Sequence, residues 1–414
     1  MSLMVNAVVY HRRGKIESQQ GERTESFMTE MKTCTKCGET KATSHFNGSA
    51  ASPDGIAARC RACVNAARRA VTKRRKDKPD SFRARLIAAT KKGDSAVVRK
   101  FLPKLSTQQL NALLALAIES HGPRKEARLL EVCDLLLTSG AEPDACCEYG
   151  PLLCLAATKN TRAYVEKLRE YDARADIFTT AATGDVAGER RCLRRNPSLA
   201  GKVDEVGKTP LHYCAGSRLW IDDAETRDNL VAIAELLLEA GAEVDAEYPY
   251  PLRSTPFAVV ATVGGNVELA ELLLARGADP GDARLLFDVL RSMQRQDDEF
   301  SRIGDLLLAN GISVNDDYVE GLNLLQGQAR HEDVQATAWL LSRGADVHAR
   351  ISDGRTALHL AADRNNGVKV IELLLQQGAE LNARDDLGLT PLFYARQSEN
   401  LRIAEFLQEQ GGCV

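Results

Sequence analysis

The sequence predicts an all-α solenoid of about ten stacked helical units, several of them degenerate, preceded by a small four-cysteine module. One phrase recurs as LLLEAGAEVDA (236–246), LLLARGADPGDA (272–283), LLLANGISVND (306–316), WLLSRGADVHA (339–349) and LLLQQGAELNA (373–383). The glycine that follows each helix falls at Gly241, Gly277, Gly311, Gly344, Gly378 and Gly411, a spacing of 33 to 36 residues. That period is one helix-turn-helix unit, which buries its apolar face only against its neighbours. The module is marked by two Cys-x-x-Cys pairs within residues 32–63, KTCTKCGETKATSHFNGSAASPDGIAARCRAC; the other seven of the 11 cysteines show no such order. An aromatic content of 5% suits small-residue helix packing better than a β-sandwich.

Residues 1–30 lack periodicity and are expected to form a disordered tail, or to precede the true start, because Met28 and Met31 stand just before the module. The N-terminal apolar stretch is too short for a signal peptide and its charges are in the wrong order, and no run of 18 apolar residues occurs. The expected location is therefore cytoplasmic, with no membrane contact. Thiols stay reduced there, so paired cysteines point to metal, and an odd cysteine total argues against a disulfide framework.

The module spans 31–66. Cys34, Cys37, Cys60 and Cys63 have the spacing of a four-thiolate structural site, and one Zn2+ per chain is expected. Gly38 allows the positive φ a metal knuckle needs, Asp54-Gly55 marks a hairpin, and the second pair leads into the helix-forming VNAARRAVTKRRK. Knuckle, hairpin and helix in that order make a treble-clef-like arrangement, with metal binding as the folding energy of so short a module. Four thiolates close the shell and leave no position for a hydrolytic water; His45 is the alternative ligand. The stretch resembles the short zinc module found near HNH-type nucleases of phages and bacteria, matching at Lys32, Cys34, Cys37, Gly38, Lys41, Phe46, Asp54, Gly55, Cys60 and Cys63. Ala42 stands where that family prefers proline. The resemblance implies a bacterial or phage source but no nuclease, since the seven histidines are scattered and form no HNH cluster.

Residues 67–81 form a basic helix or linker. From Arg59 to Arg85 the chain carries eleven Lys/Arg against two Asp, and residues 1–85 hold 18 basic against 8 acidic groups while the remainder holds 36 against 49. A basic head on an acidic body suggests different partners for the two parts. Arg61, Arg68, Arg69, Lys73, Arg74, Arg75 and Lys76 are the expected contacts to DNA or RNA, backbone-led because no aromatic interleaves them.

From residue 82 on, each unit reads as a turn, a short inner helix, a longer outer helix and a return loop. Residues 82–204 are degenerate; 205–414 keep the pattern. GKTPLHYCA (207–215), RSTPFAVVA (253–261), GRTALHLAA (354–362) and GLTPLFYAR (388–396) each open a unit and match T-P-L-H-x-A, so this part resembles the ankyrin-repeat family. Thr209, Thr356 and Thr390 are placed to cap inner helices. The resemblance implies that His212 and His359 complete the hydrogen bonds of their turns.

Two units carry insertions, 216–229 and 293–302, both expected between inner and outer helix. Trp220 in the first, with Tyr248 and Tyr250 in the turn AEYPYPLRS, are the candidate protein-binding anchors. No phosphate-binding glycine loop or nucleophile-base motif occurs. The expected function is a non-enzymatic adaptor or regulator, its ankyrin array holding a protein partner and its zinc and basic head contacting nucleic acid. The alternatives are a purely protein-binding inhibitor or regulator, and a bacterial effector acting on host proteins.

Overall fold

The structure is a computed structural model describing residues 82–248, 254–292, 298–319, 321–364 and 367–414, together with the backbone of 31–33, 40–42, 46–48 and 56–60. The chain divides into two compact units, Met1–Ser81 and Phe82–Val414. In the first, Met31–Thr33 pairs antiparallel with Thr40–Ala42, and Phe46–Gly48 with Ile56–Cys60, setting Phe46 opposite Cys60.

The second unit is a stack of ten helix pairs among the described residues. Pairs 1 to 4 are Phe82–Lys92 with Ser95–Phe101, Thr107–Glu119 with Glu126–Thr138, Leu152–Thr158 with Arg162–Glu170, and Ile177–Thr183 with Val186–Arg195. Pairs 5 to 7 are Pro210–Gly216 with Ala224–Glu239, Pro256–Val259 and its π-turn Val260–Gly264 with Val267–Ala275, and Ala283–Ser292 with Asp298–Ala309. Pairs 8 to 10 are Leu324–Arg330 with Val334–Ser342, Ala357–Ala362 with Val368–Gln376, and Pro391–Gln397 with Leu401–Glu409.

The division into inner and outer helices follows from composition. Inner helices such as ALHLAA are short and rich in alanine, so neighbours approach on both sides, and every residue of Ala357–Ala362 is buried. Outer helices bury one stripe only: Leu230, Ile233, Ala234 and Leu237 in pair 5, and Val370, Ile371 and Leu374 in pair 9, the i, i+3, i+4, i+7 spacing of a helix covered on one face. Each fully buried leucine contributes about 1.5–3 kcal/mol of transfer free energy. A contiguous core runs from Leu86 to Leu407. The outer helices of pairs 5 to 10 end at glycines whose φ lies between 84° and 100°, the left-handed C-cap that the periodic glycine predicts.

The insertion of pair 5 differs from expectation. Only 217–223 lies between the helices; Ala224 onward extends the outer helix, started by Asp223, whose carboxylate accepts from the amides of Glu225 and Thr226. Trp220 is corrected as an anchor, because it is only 5% exposed. Its Nε1 donates to the Gly264 carbonyl (3.2 Å) and the Arg227 guanidinium lies 4.6 Å from its ring, so the insertion fastens pair 5 to pair 6. Gly264 is required there: a Cβ would stand 2.0 Å from the Ala215 carbonyl oxygen. Of the second insertion, 293–297 lie outside the described residues, and 298–302 form the start of the outer helix Asp298–Ala309 rather than a loop before it.

Candidate protein-binding face

The outer helix of each pair is joined to the inner helix of the next by a loop, here called a finger, and the polar residues at the base of the finger fix its geometry. In pair 5, Thr209 caps the inner helix while its amide donates to His212 Nδ1 (3.2 Å). Nε2 therefore carries the ring proton and donates to the Ser254 carbonyl in the next finger (3.0 Å). Pair 9 repeats this with Thr356, His359 and the Leu389 carbonyl (3.1 Å). Burial pushes His212 down to about 4 and lowers His359, so both act as neutral struts.

Pair 8 has no histidine at this turn position, yet Gln326 does the same work. Its Oε1 accepts from the Asn323 amide (3.0 Å) and its Nε2 donates to the Ala349 carbonyl (3.0 Å). A second ladder links the bases of successive fingers, starting from Asn111 in the inner helix of pair 2. Asn111 Oδ1 accepts the Glu142 amide, Asp144 that of Arg174, Asp245 that of Asp279, Asn315 that of Asp346 and Asn382 that of Cys413, at 2.6 to 3.1 Å. Sequence reasoning anticipated the histidine turns but missed Gln326 and the second ladder, whose signal was the Asp or Asn recurring near the end of each repeated phrase, as in AEVDA, ISVND and AELNA.

The tips are held out from this base. In finger 10, leading into pair 10, Asp385 accepts from the amides of Leu387 (2.9 Å) and Leu389 (2.8 Å) and from the Tyr394 hydroxyl (2.5 Å). Asp204 braces finger 5 in the same way, accepting from Val206, Lys208 and Tyr213. On such loops stand Leu387 at 80% exposed, Val203 at 55%, Val319 at 45% and Tyr149 at 41%. These are apolar side chains presented to water on rigid loops, an arrangement that costs solvation and pre-organises a contact surface.

Tyr248 is half-buried at its finger base, edge-on to the His212 ring (5.1 Å) with Lys208 Nζ 5.1 Å from its own ring centre. Much of its surface is thus spent inside the array, while Tyr250 lies outside the described residues.

The expected Zn2+ is corrected. Among the described residues no group of three or more His, Cys, Asp or Glu side chains converges to hold a metal ion, which a tetrahedral site needs. Cys34, Cys37 and Cys63 lie outside those residues and Cys60 is described by its backbone alone. The remaining seven cysteines are free thiols, and burial pushes Cys133 up to about 12. Arg61, Arg68, Arg69, Lys73, Arg74, Arg75 and Lys76 also lie outside the described residues. Among the described residues no helix is long and apolar enough to cross a membrane.

Comparison with known proteins agrees with the helix pairs. Residues 206–247 match the model of a single ankyrin repeat and residues 325–414 a model of three ankyrin repeats. The chain is 31% identical over 295 residues to the ankyrin repeat and KH domain-containing protein mask-1 of Caenorhabditis elegans, covering 64% of this chain and 10% of that one. It is 26% identical over 258 residues to the B-cell lymphoma 3 protein homolog of Mus musculus, covering 58% of this chain and 52% of that one. It thus spans a tenth and about half of the length of these relatives. Among solved structures it is similar to the human ASB11 ankyrin repeat domain (TM-score 0.44, 24% identity, 58% of this chain and 100% of that one). It is similar also to the ankyrin repeat domain of Bcl-3 (TM-score 0.42, 21% identity, 56% and 97%).

Proposed function

From the premise that the chain carries an ankyrin-repeat domain, a non-catalytic binding scaffold, we propose that it is a protein-binding regulator whose partner lies along the finger tips and inner helices, without nucleic-acid contact. The observation that carries this reading is the set of exposed apolar residues on successive fingers, two of which, those of Val203 and Leu387, are braced by Asp204 and Asp385. Binding to such a face costs little ordering, because the loops are already fixed by the backbone bonds they make.

The test is affinity capture with the full-length chain, before and after nuclease treatment, set against a Val319→Asp/Leu387→Asp variant. Both side chains are solvent-exposed, so the variant should unfold like the parent. The expected result is a stoichiometric protein that survives nuclease and is lost with the variant. A partner that is released by nuclease, or that is retained by the variant and by equivalent changes at Tyr149 and Val203, would move the binding surface elsewhere.

A further inference from the structure

We propose that the groove across the inner helices of pairs 1 and 2 and the Cys146–Pro151 hairpin of pair 3 docks a basic, amphipathic peptide segment of a partner protein. This rests on the protein-binding reading and names the partner's chemistry along one stretch of that face.

The groove encloses about 1000 Å³. Its floor is apolar, with Ile87, Leu105 and Leu116 each half-buried and so open to a ligand. Its walls are acidic: Glu119, Glu142, Glu148 and Glu205 line it, whereas Arg83 is the one basic residue among the described lining residues. Glu142 is held by the Asn111 amide (2.9 Å) and Asp144 is paired with Arg174. Among the described residues, no Lys or Arg forms an ion pair with Glu119, Glu148 or Glu205.

Elsewhere in the array several acids are matched. Glu268 and Glu299 are each bridged by Arg227 and Arg302, and Asp305 takes a two-pronged contact from Arg343. In the groove, three carboxylates without a cation converge beside a half-buried apolar floor. Two neighbours register the field. The Tyr149 hydroxyl is pushed up to about 12 by burial and by Glu119 and Glu148, and the Cys146 thiol is raised by burial and then by Glu205 and Asp204.

The occupant follows from sign and shape. A phosphate backbone is repelled, and a bare cation gains nothing from Ile87, Leu105 and Leu116. A cleft at the upper end of small-ligand size, with carboxylates above apolar side chains, suits a segment whose Lys or Arg heads meet the walls while its aliphatic residues cover the floor.

The test titrates the full-length chain with a fluorescent peptide alternating Lys/Arg with Leu, followed by polarisation at low and physiological salt. Companion peptides carry Glu in place of the cations, or Ser in place of Leu. Glu119→Lys/Glu148→Lys is compared with Glu372→Lys/Glu409→Lys, which makes the same charge change at exposed outer-helix sites. The basic peptide should bind, weaken about tenfold or more with the groove variant, change by less than about twofold with the control, and weaken about tenfold on losing its leucines. Equal loss in both variants would reduce the effect to overall charge, and equal binding of the Ser peptide would reduce it to ion attraction. Absence of binding, or binding of the Glu peptide, overturns the proposal outright. Should the Lys pair fail to fold, Glu148→Gln/Glu205→Gln on exposed loop positions replaces it, read in the same way. The Val319→Asp/Leu387→Asp variant should bind the probe normally. A probe that fails while that variant still loses its captured protein removes the groove alone; a captured protein unaffected by the tips removes the broader reading.

Discussion

Glu189 sits in the first turn of the outer helix of pair 4 with no exposed surface, and no cation pairs with it among the described residues. Its Oε1 meets no hydrogen-bond partner there, and its Oε2 contacts the Thr180 hydroxyl. The Thr180 hydroxyl, whose one proton is shared between Oε2 and the Asp176 carbonyl (2.8 Å), is the only polar partner this buried carboxyl meets among the described residues. Burial, opposed by the hydrogen bond from Thr180 and helped by the charges of Asp185 and Asp176, pushes the carboxyl from 4.5 up to about 7. The folded state thus holds a proton that the unfolded chain releases between those values. The stabilisation is present in full below pH 4.5 and is lost as pH rises through 7, about 3 kcal/mol in all by linkage.

Glu189→Gln mimics the neutral acid, with Nε2 donating to the same hydroxyl, and cannot ionise. Urea unfolding followed by Trp220 fluorescence, at several pH values from 4 to 8.5, should give coincident stabilities at the acid end. The variant should gain about 2–3 kcal/mol at the alkaline end, where the wild type must bury a charge or release it by opening pair 4. Curves that stay parallel across the range would show that the carboxylate is ionised and compensated in the fold, and the reasoning from burial would fail.

His212 should act in the opposite sense. With its folded value at about 4 against 6.5 unfolded, its contribution is complete above pH 6.5 and is lost as pH falls toward 4, again about 3 kcal/mol; His212→Gln, copying Gln326 of pair 8, should remove that acid loss, whereas His212→Ala should cost about 2 kcal/mol at every pH above 6.5. An unchanged acid limb in the Gln variant would assign the loss to other groups. Gly264→Ala should cost more than about 2 kcal/mol, because its methyl would enter the space of the Ala215 carbonyl, and it should shift Trp220 emission to the red; normal stability and emission would show that pairs 5 and 6 tolerate a wider spacing.

Much of the array was legible in the sequence because its signals are local. A glycine at a fixed period, a Thr three residues before a His, and apolar residues on one stripe are each decided within a single unit, so stacking could be inferred from repetition. Even the weakly patterned units of 82–204 were readable, since inner helices must be small and outer ones one-sided wherever they stack. What lay beyond reach were the partners of single side chains. Trp220 resembles an anchor in sequence because an insertion suggests exposure, but the carbonyl that receives its Nε1 is 44 residues on, at a glycine whose close approach to Ala215 no local pattern announces. Gln326 was invisible for the opposite reason: the site conserves a geometry, one acceptor toward its own cap and one donor toward the next finger, which two chemically different side chains satisfy. The acidic groove is of the same kind, since Glu119, Glu148 and Glu205 come from three units and become one surface only when those units stack. A solenoid therefore reveals its scaffold in one dimension and hides its recognition in three, and charge that is unmatched only after stacking is where a partner's chemistry is to be sought.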